Sequence, residues 1–184
     1  MLLASSGCFW TKDPEIAVTI GEPWANTQQR SAVTFTASPE SDQIMLASSN
    51  ARLRLIDLRH GFVTQTGRDI VVFLNKKGRV QTAGLLLGEG PMNLDKAVET
   101  ATELQKQMRK RGWAPFLSWA KPPIADTPEW REYLHQSGYS TLSLWQAENS
   151  YLATFFLHRI KDSAPGTDGL YVLSLHLDPA LKGQ

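Results

Sequence analysis

The sequence lacks the features that mark several large classes of protein. Cys8 is its single cysteine among 184 residues, which excludes an internal disulfide framework. No cluster of cysteine and histidine has the spacing of zinc ligands. No apolar run approaches the roughly 18 residues of a membrane-spanning helix. The net charge of +1 at pH 7 excludes a strong overall field that would attract nucleic acid or acidic lipid.

The remaining composition is that of an ordinary folded domain. Hydrophobic residues make up 42% of the chain and charged residues 20%, which is far from the disordered range. The length suits one domain with its own core. We therefore predict a single domain over 15–184, preceded by a tether over 1–14.

Period-2 alternation of apolar residues predicts strands toward both ends of the chain. The segments that show this alternation are 15–23, 31–37, 51–58, 140–147, 151–160 and 169–178. Short connections between consecutive strands favour antiparallel pairing.

Two helices are predicted between these groups of strands. The first has Asn93 as its N-cap, an apolar stripe from Leu94 to Met108, and a stop at Gly112. The second has Thr127 as its N-cap and ends at Gly138. The predicted fold class is therefore α+β, an antiparallel sheet with two helices packed on one face, in the order strands, helix, helix, strands.

The segment 68–87 predicts a β-hairpin with a polar turn at Asn75–Gly78. Both of its strands carry apolar residues at odd and at even positions. This pattern is typical of a strand pair that is covered on both faces, so we expect the hairpin at the centre of the sheet.

Ser5, Ser6 and Gly7 stand directly before Cys8. This segment resembles the lipobox of bacterial lipoproteins, in which a leucine and two small residues precede the cysteine that is lipidated. It departs from that pattern because Ser5 occupies the place of the leucine and Leu3 stands two positions too early. The resemblance implies lipid attachment at Cys8 and a location on the periplasmic face of a bacterial membrane. The alternative is an ordinary N-terminus with a free thiol on a cytoplasmic protein.

Trp113, Phe116 and Trp119 surround a proline-rich bridge outside the predicted helices and strands. Exposed aromatic side chains are common anchors of protein interfaces, so these three residues form a candidate partner-binding surface. The alternative is that the rings cover the end of the sheet, because tryptophan is buried on average.

Gly88, Gly90 and Asn93 lie between a predicted strand and the first helix. Free N–H groups at a helix N-terminus can hold an anion, so these residues form a weak candidate anion site. No complete phosphate-binding motif is present, and Glu89 would repel a phosphate. A plain strand-to-helix turn explains the same residues.

Four histidines could take part in acid–base chemistry, and one of them, His135, is expected on the outer face of its helix. If Ile160 lies opposite Gly169, then His158 and His176 fall on opposite faces of the sheet; a shift of one residue reverses this. His60 follows Asp57 by three residues, but no serine in the chain stands in a nucleophile motif. We therefore predict no catalytic site, no metal and no cofactor.

These observations favour a non-enzymatic envelope lipoprotein that acts by binding another protein. Such a protein could neutralise a secreted effector, as immunity lipoproteins do, or bind another envelope component. The basic run Lys106–Arg111 fits the end of a helix, where cations complement the dipole, so nucleic acid is not expected as a partner. The alternatives are a small hydrolase that uses a histidine and a carboxylate, and a domain that binds an anion or small ligand.

Overall fold

The computed structural model describes residues 13–116, 122–160 and 169–180. Two predicted functional residues, Cys8 and Trp119, lie outside these ranges.

The described residues form ten strands and three helices. The strands are β1 (Glu15–Val18), β2 (Phe35–Ser38), β3 (Ser41–Ala47), β4 (Ala51–Leu55), β5 (Val63–Leu74), β6 (Val80–Leu87), β7 (Ala114–Pro115), β8 (Ser140–Ala147), β9 (Tyr151–Arg159) and β10 (Tyr171–Pro179). The helices are α1 (Trp24–Arg30), α2 (Leu94–Arg109) and α3 (Pro128–Gln136). The helix that was predicted after Asn93 and the one after Thr127 are α2 and α3.

All ten strands join one sheet. Its main path runs β1-β4-β5-β6-β10-β9-β8-β7, and the β2–β3 hairpin joins it at β5. Every pairing is antiparallel except that of β1 with β4, which is parallel. The mixed α and β content and the largely antiparallel sheet agree with the predicted α+β class.

The order of elements differs from the predicted order of strands, helix, helix, strands. A third helix, α1, follows β1, and the short strand β7 lies between α2 and α3. Helix α1 has seven residues and no side-chain cap at its start, so it lacks the signals that identified the other two helices. Strand β3 lies in a segment for which no strand is predicted.

Helices α2 and α3 begin at the residues that the sequence indicates. The Asn93 side chain accepts a hydrogen bond from the Lys96 amide at 2.8 Å, and the Thr127 hydroxyl accepts one from the Trp130 amide at 3.2 Å. Each bond satisfies an amide that the helix itself leaves without a partner, which confirms both predicted N-caps.

One face of the sheet belongs to the hydrophobic core. Its side chains form a cluster with the buried residues of α2 and α3, which include Ala101, Met108, Trp130 and Leu134. Val72 and Leu85 are typical sheet members of this cluster and are 0% and 2% exposed. Among the described residues, no helix is long and apolar enough to cross a membrane.

We call the opposite side of the sheet the open face. The register places Leu46, Val71 and His176 side by side on the open face. Leu86 and Phe156 lie on the same face, two residues further along their strands. Among the described residues the 68–87 hairpin is fully covered on the core face only, since Phe73 on its open face is 37% exposed, so the predicted cover on both faces is not found there.

Gly67 leaves no room for a side chain where β5 passes β6. A Cβ atom there would lie 2.5 Å from the Leu86 carbonyl oxygen and 2.6 Å from the Leu85 side chain. We expect Gly67→Ala to lower the free energy of unfolding by about 1–3 kcal/mol, because the backbone contact cannot relax cheaply. Urea unfolding measures the change.

Gly90→Ala is the matched control, because a Cβ at position 90 meets no atom within 4 Å. Its effect should stay within about 0.5 kcal/mol. Equal effects of the two substitutions would contradict the close approach at Gly67.

Candidate functional site

We call residues 56–61 the clasped loop; they follow β4 and return the chain to β5. The Asp57 carboxylate organises this loop from within. Its Oδ1 accepts hydrogen bonds from the amides of Arg59 at 2.8 Å and His60 at 2.7 Å. An aspartate that accepts its own following amides fixes a tight turn.

Two aromatic side chains attach this loop to the rest of the protein. Tyr151, at the start of β9, donates a hydrogen bond to Asp57 Oδ2 at 2.8 Å. Trp113, just after α2, donates from Nε1 to the His60 carbonyl oxygen at 2.8 Å. The Trp113 and Tyr151 rings also stack, with centroids 6.1 Å apart.

His60 and Arg59 complete this set of contacts, which we call the clasp. His60 is 4% exposed, and its Nδ1 lies 2.9 Å from the Arg111 carbonyl oxygen, to which it donates as the Nδ1–H tautomer. Arg59 forms an ion pair with Glu148 in the β8–β9 turn at 2.7 Å. The loop is therefore fixed to α2 and to β9 at once.

The clasp raises the pKa of the Tyr151 phenol and lowers the pKa of the Asp57 carboxyl group. Burial, together with the hydrogen bond to Asp57, raises the pKa of Tyr151 to about 12. Burial also acts to raise the pKa of Asp57, but the hydrogen bonds from the His60 amide, Tyr151 and the Arg59 amide outweigh it and lower the pKa below its usual value. The pair is thus held as a neutral phenol and a charged carboxylate.

The Asp57–Tyr151 bond links two distant parts of the sheet. Strands β4 and β9 are four positions apart in the sheet, and Asp57 stands in the loop two residues beyond the end of β4. The loop, and not β4 itself, carries the carboxylate to Tyr151. The bulge in β5 between Arg68 and Val71, with Asp69 at a φ of 50°, is a feature that bends a strand.

A side chain of α2 takes the place of a neighbouring strand beside the first residue of β5. The Gln107 amide group accepts from the Val63 N–H at 2.8 Å and donates to the Val63 carbonyl at 3.1 Å. These are the two bonds that a neighbouring strand would supply, and β6 does not reach this position because its last paired residue, Leu87, lies opposite Gly67.

The outer surface of the clasped loop carries two apolar side chains. Leu58 is 102% exposed, and Ile56 is 37% exposed. A cavity of about 490 Å³ opens beside them, lined by residues that include Thr19, Phe62 and Arg111. The contacts of the loop thus hold its backbone, while its leucine side chain touches almost nothing.

The histidines of the chain do not gather into one site. The pairs His158–Val172 and His176–Thr154 place His158 and His176 on the same face of the sheet, which is one residue of register away from the predicted pairing. The condition for opposite faces, Ile160 opposite Gly169, is therefore not met, and the shift of one residue places both histidines on one face. Four residues along a strand still separate them by about 13 Å.

His135 is exposed and packs its ring on Tyr139, as expected for the outer face of α3. His60 has its acidic neighbour Asp57, but that carboxylate is occupied by two amides and a phenol. Within the described ranges, no group of three or more His, Cys, Asp or Glu could hold a metal ion.

The predicted partner-binding residues have different surroundings. The Trp113 ring is 3% exposed and packs against Phe62 and Tyr151, so it does not present an exposed anchor. Its position fits the alternative of a ring that covers the end of the sheet. Phe116 is half-buried, and its amide donates to the Leu144 carbonyl at 2.8 Å.

The predicted anion-binding residues form the turn that leads into α2. Gly88 has a φ of 85°, which glycine adopts without strain. The Asn93 side chain is used as the helix cap. A strand-to-helix turn accounts for these features, and anion binding at Gly88, Gly90 and Asn93 stays a prediction.

Compared with known proteins, the chain gives no significant match to a family model, a curated protein or a solved structure.

Tyr151→Phe tests the clasp, because it removes the hydroxyl and keeps the ring on Trp113. We expect the free energy of unfolding to fall by about 1–2 kcal/mol near pH 7, the range for a part-exposed hydrogen bond to a charged acceptor. Because the pKa of Tyr151 is raised to about 12 from the ordinary value of 10.0, the difference should shrink as pH rises from about 10 to 12. It should also shrink as pH falls through the lowered pKa of Asp57. Urea unfolding across this pH range measures it.

Tyr139→Phe is the control for this substitution, since the Tyr139 hydroxyl makes no hydrogen bond within the part of the chain described. That variant should change stability little at any pH. A Tyr151→Phe variant as stable as wild type at pH 7 would show that the clasp bond contributes nothing.

Proposed function

We propose that this protein acts by binding another protein through the clasped loop, with Leu58 as the central anchor. The observation that carries this proposal is the contrast between a loop fixed by buried contacts and a leucine at its surface that is 102% exposed. An isolated exposed leucine needs no explanation. A leucine on a backbone that is fixed from three directions is a preorganised contact, which loses little entropy when a partner binds.

The clasp favours a binding role over a catalytic one. Asp57 accepts three hydrogen bonds, and His60 Nδ1 is engaged by the Arg111 carbonyl. General acid–base catalysis needs a group that can reach a substrate and exchange a proton with it. The Asp57 carboxylate and the His60 ring instead bond other groups of the clasp, and these bonds fix the conformation of the loop.

The surroundings of Leu58 indicate the chemistry of the partner. Arg54 is paired with Glu15, and Arg59 is paired with Glu148. Arg111 is exposed beside the same cavity, and its guanidinium has no hydrogen bond or ion pair within the described residues. The partner surface that fits best is an apolar pocket of leucine size with a carboxylate on its rim.

Attachment to a membrane through Cys8 forms the second part of the proposal. Pro14 lies beside Arg52 at the start of the parallel pair β1–β4, whereas the loop follows the other end of that pair, where the Ile56 amide bonds the Val18 carbonyl. Five residues from Cys8 to Asp13 span at most about 17 Å. A lipid at Cys8 would therefore be attached near the end of the β1–β4 pair that lies opposite the clasped loop.

A periplasmic protein with this arrangement could inhibit a secreted effector, as immunity lipoproteins do, or bind an envelope component. The support for this role is the apolar anchor, the part-basic surroundings and the lipobox-like segment before Cys8. An inhibitor of this kind would cover its target with a preformed surface and would need no catalytic group of its own.

Leu58→Asp tests the anchor. We expect it to weaken binding of a stoichiometric partner from an envelope extract by about 30-fold or more, which corresponds to about 2 kcal/mol at an interface hot spot. Stability should not change, because the side chain makes almost no contact within the chain. Quantitative pull-down and urea unfolding measure the two effects.

Gln43→Asp is the matched control, because it adds the same charge at an exposed position of β3, which pairs with the far end of β5. The partner should stay bound to this variant. Retention of the partner by Leu58→Asp, or the absence of any stoichiometric partner of the wild type, would refute the assignment of the loop.

Cys8→Ser tests the membrane attachment, in protein expressed from the full native reading frame. The wild type should appear in the membrane fraction with the mass of a chain that starts at Cys8 and carries a diacylglycerol and an acyl chain. Cys8→Ser should be unmodified and leave that fraction. An unmodified wild type in the soluble fraction would remove the envelope location and leave the clasped loop as a surface of a cytoplasmic protein.

A further inference from the structure

The cavity beside the clasped loop, which we call the loop cavity, has the size of a small-molecule site. Its volume is about 490 Å³, and such sites span about 300–1,000 Å³. Leu55 and Phe62 line it and are 2% and 3% exposed, so they belong to the fixed core. Ile56 and Leu58 add exposed apolar side chains to the lining, and Val63 adds a half-buried one. An occupant of this cavity therefore needs an apolar body.

The uncharged polar side chains of the lining, Thr19 and Gln107, already have hydrogen-bond partners. The Thr19 hydroxyl donates to the Ile56 carbonyl oxygen at 3.3 Å. The Gln107 amide group bonds both backbone groups of Val63. Neither side chain is left over to bind a ligand.

The charged side chains of the lining are Arg54, Asp57 and Arg111, which give it a net charge of +1. The Arg54 guanidinium bonds Glu15 at 2.9 Å. Both carboxylate oxygens of Asp57 accept hydrogen bonds within the clasp. The Arg111 guanidinium is exposed and has no hydrogen bond or ion pair in the part of the chain that the structure describes. The charge that a ligand can neutralise here is therefore that of Arg111.

The backbone of Arg111 is fixed on both sides. Its amide donates to the Met108 carbonyl oxygen at 2.8 Å, and its own carbonyl oxygen lies 2.9 Å from Nδ1 of His60. A guanidinium is a planar fork that binds the two oxygens of a carboxylate with two parallel hydrogen bonds. A net charge of +1 matches a monoanion of this kind better than a phosphate dianion.

We propose that the loop cavity binds a small carboxylate with an aliphatic tail. The carboxylate pairs with Arg111, and the tail lies against Leu55, Ile56 and Phe62. Both parts are needed, because an exposed ion pair contributes little in water and the apolar lining supplies the remaining free energy. The cavity lies within this chain, whereas Leu58 would enter a pocket of the protein partner. Because we also assign Arg111 to the partner's carboxylate, the small ligand and the partner would compete for it.

Titration of the full, isotope-labelled chain with octanoate, followed by the amide chemical shifts, tests this proposal. We expect a dissociation constant on the order of 0.1–1 mM, as for a weak ligand of about ten heavy atoms. The largest shifts should occur at Ile56, Gly61 and Val63. Octanol has the tail without the charge and should bind at least about tenfold more weakly. Propionate has the charge without the tail and should give no saturable shift below about 10 mM.

Arg111→Gln should weaken the binding of octanoate by about tenfold and leave the binding of octanol unchanged. Lys110→Gln is the matched control, because it removes the same charge from the preceding residue, which is exposed and does not line the loop cavity. This variant should bind octanoate as the wild type does.

Equal affinity of wild type and Arg111→Gln for octanoate would overturn the proposal, as would equal affinity of the wild type for octanol and octanoate. Shifts centred on Leu86 and Phe156 would place the ligand on the open face and would overturn it too. So would the absence of saturable binding up to about 10 mM octanoate. The titration contains no partner protein, so its failure leaves the pull-down described for the loop unaffected.

Discussion

One carboxylate joins the loop after β4 to the start of β9. Asp57 accepts two amides of its own loop and the hydroxyl of Tyr151, which lies four strands away along the sheet. The first two bonds shape the loop, and the third ties the loop to the start of β9. The conformation of the loop and its attachment to the sheet therefore depend on the same residue. A substitution that disturbs the hydrogen bond between β9 and Asp57 would also displace the surface that we assign to partner binding.

Much of the fold could be predicted from local sequence. The caps Asn93 and Thr127 each bond an amide three positions further along the chain, so they are visible in a short window. The sequence does not predict helix α1, because its first turn has no acidic residue and no side-chain cap. The helix contacts the sheet through Trp24, whose ring centroid lies 4.8 Å from that of Phe35 in β2. That contact depends on tertiary structure, which periodicity does not report.

The faces of the sheet were harder to predict than its strands. The pairing of His158 with Val172 differs by one residue from the expected register, and a shift of one residue moves every side chain of a strand to the other face. For the site, the sequence showed Asp57 close to His60, yet Tyr151 is 94 residues from Asp57. No pattern within a window could connect them. Trp113, a candidate partner-binding residue from the sequence, is buried and donates a hydrogen bond to the clasped loop from inside.

Gln107 has a consequence for how the helix and the sheet depend on each other. Its side-chain amide occupies both backbone groups of Val63, so a helix residue acts there as a short piece of strand. The Val63 N–H can exchange with solvent deuterium only when its hydrogen bond to the Gln107 side chain breaks. The amides inside the β5–β6 ladder, by contrast, exchange when these two strands separate. The exchange of a single backbone amide therefore reports the undocking of α2 separately from the opening of the sheet. In this protein, one hydrogen distinguishes the motion of the helix from that of the strands it rests on.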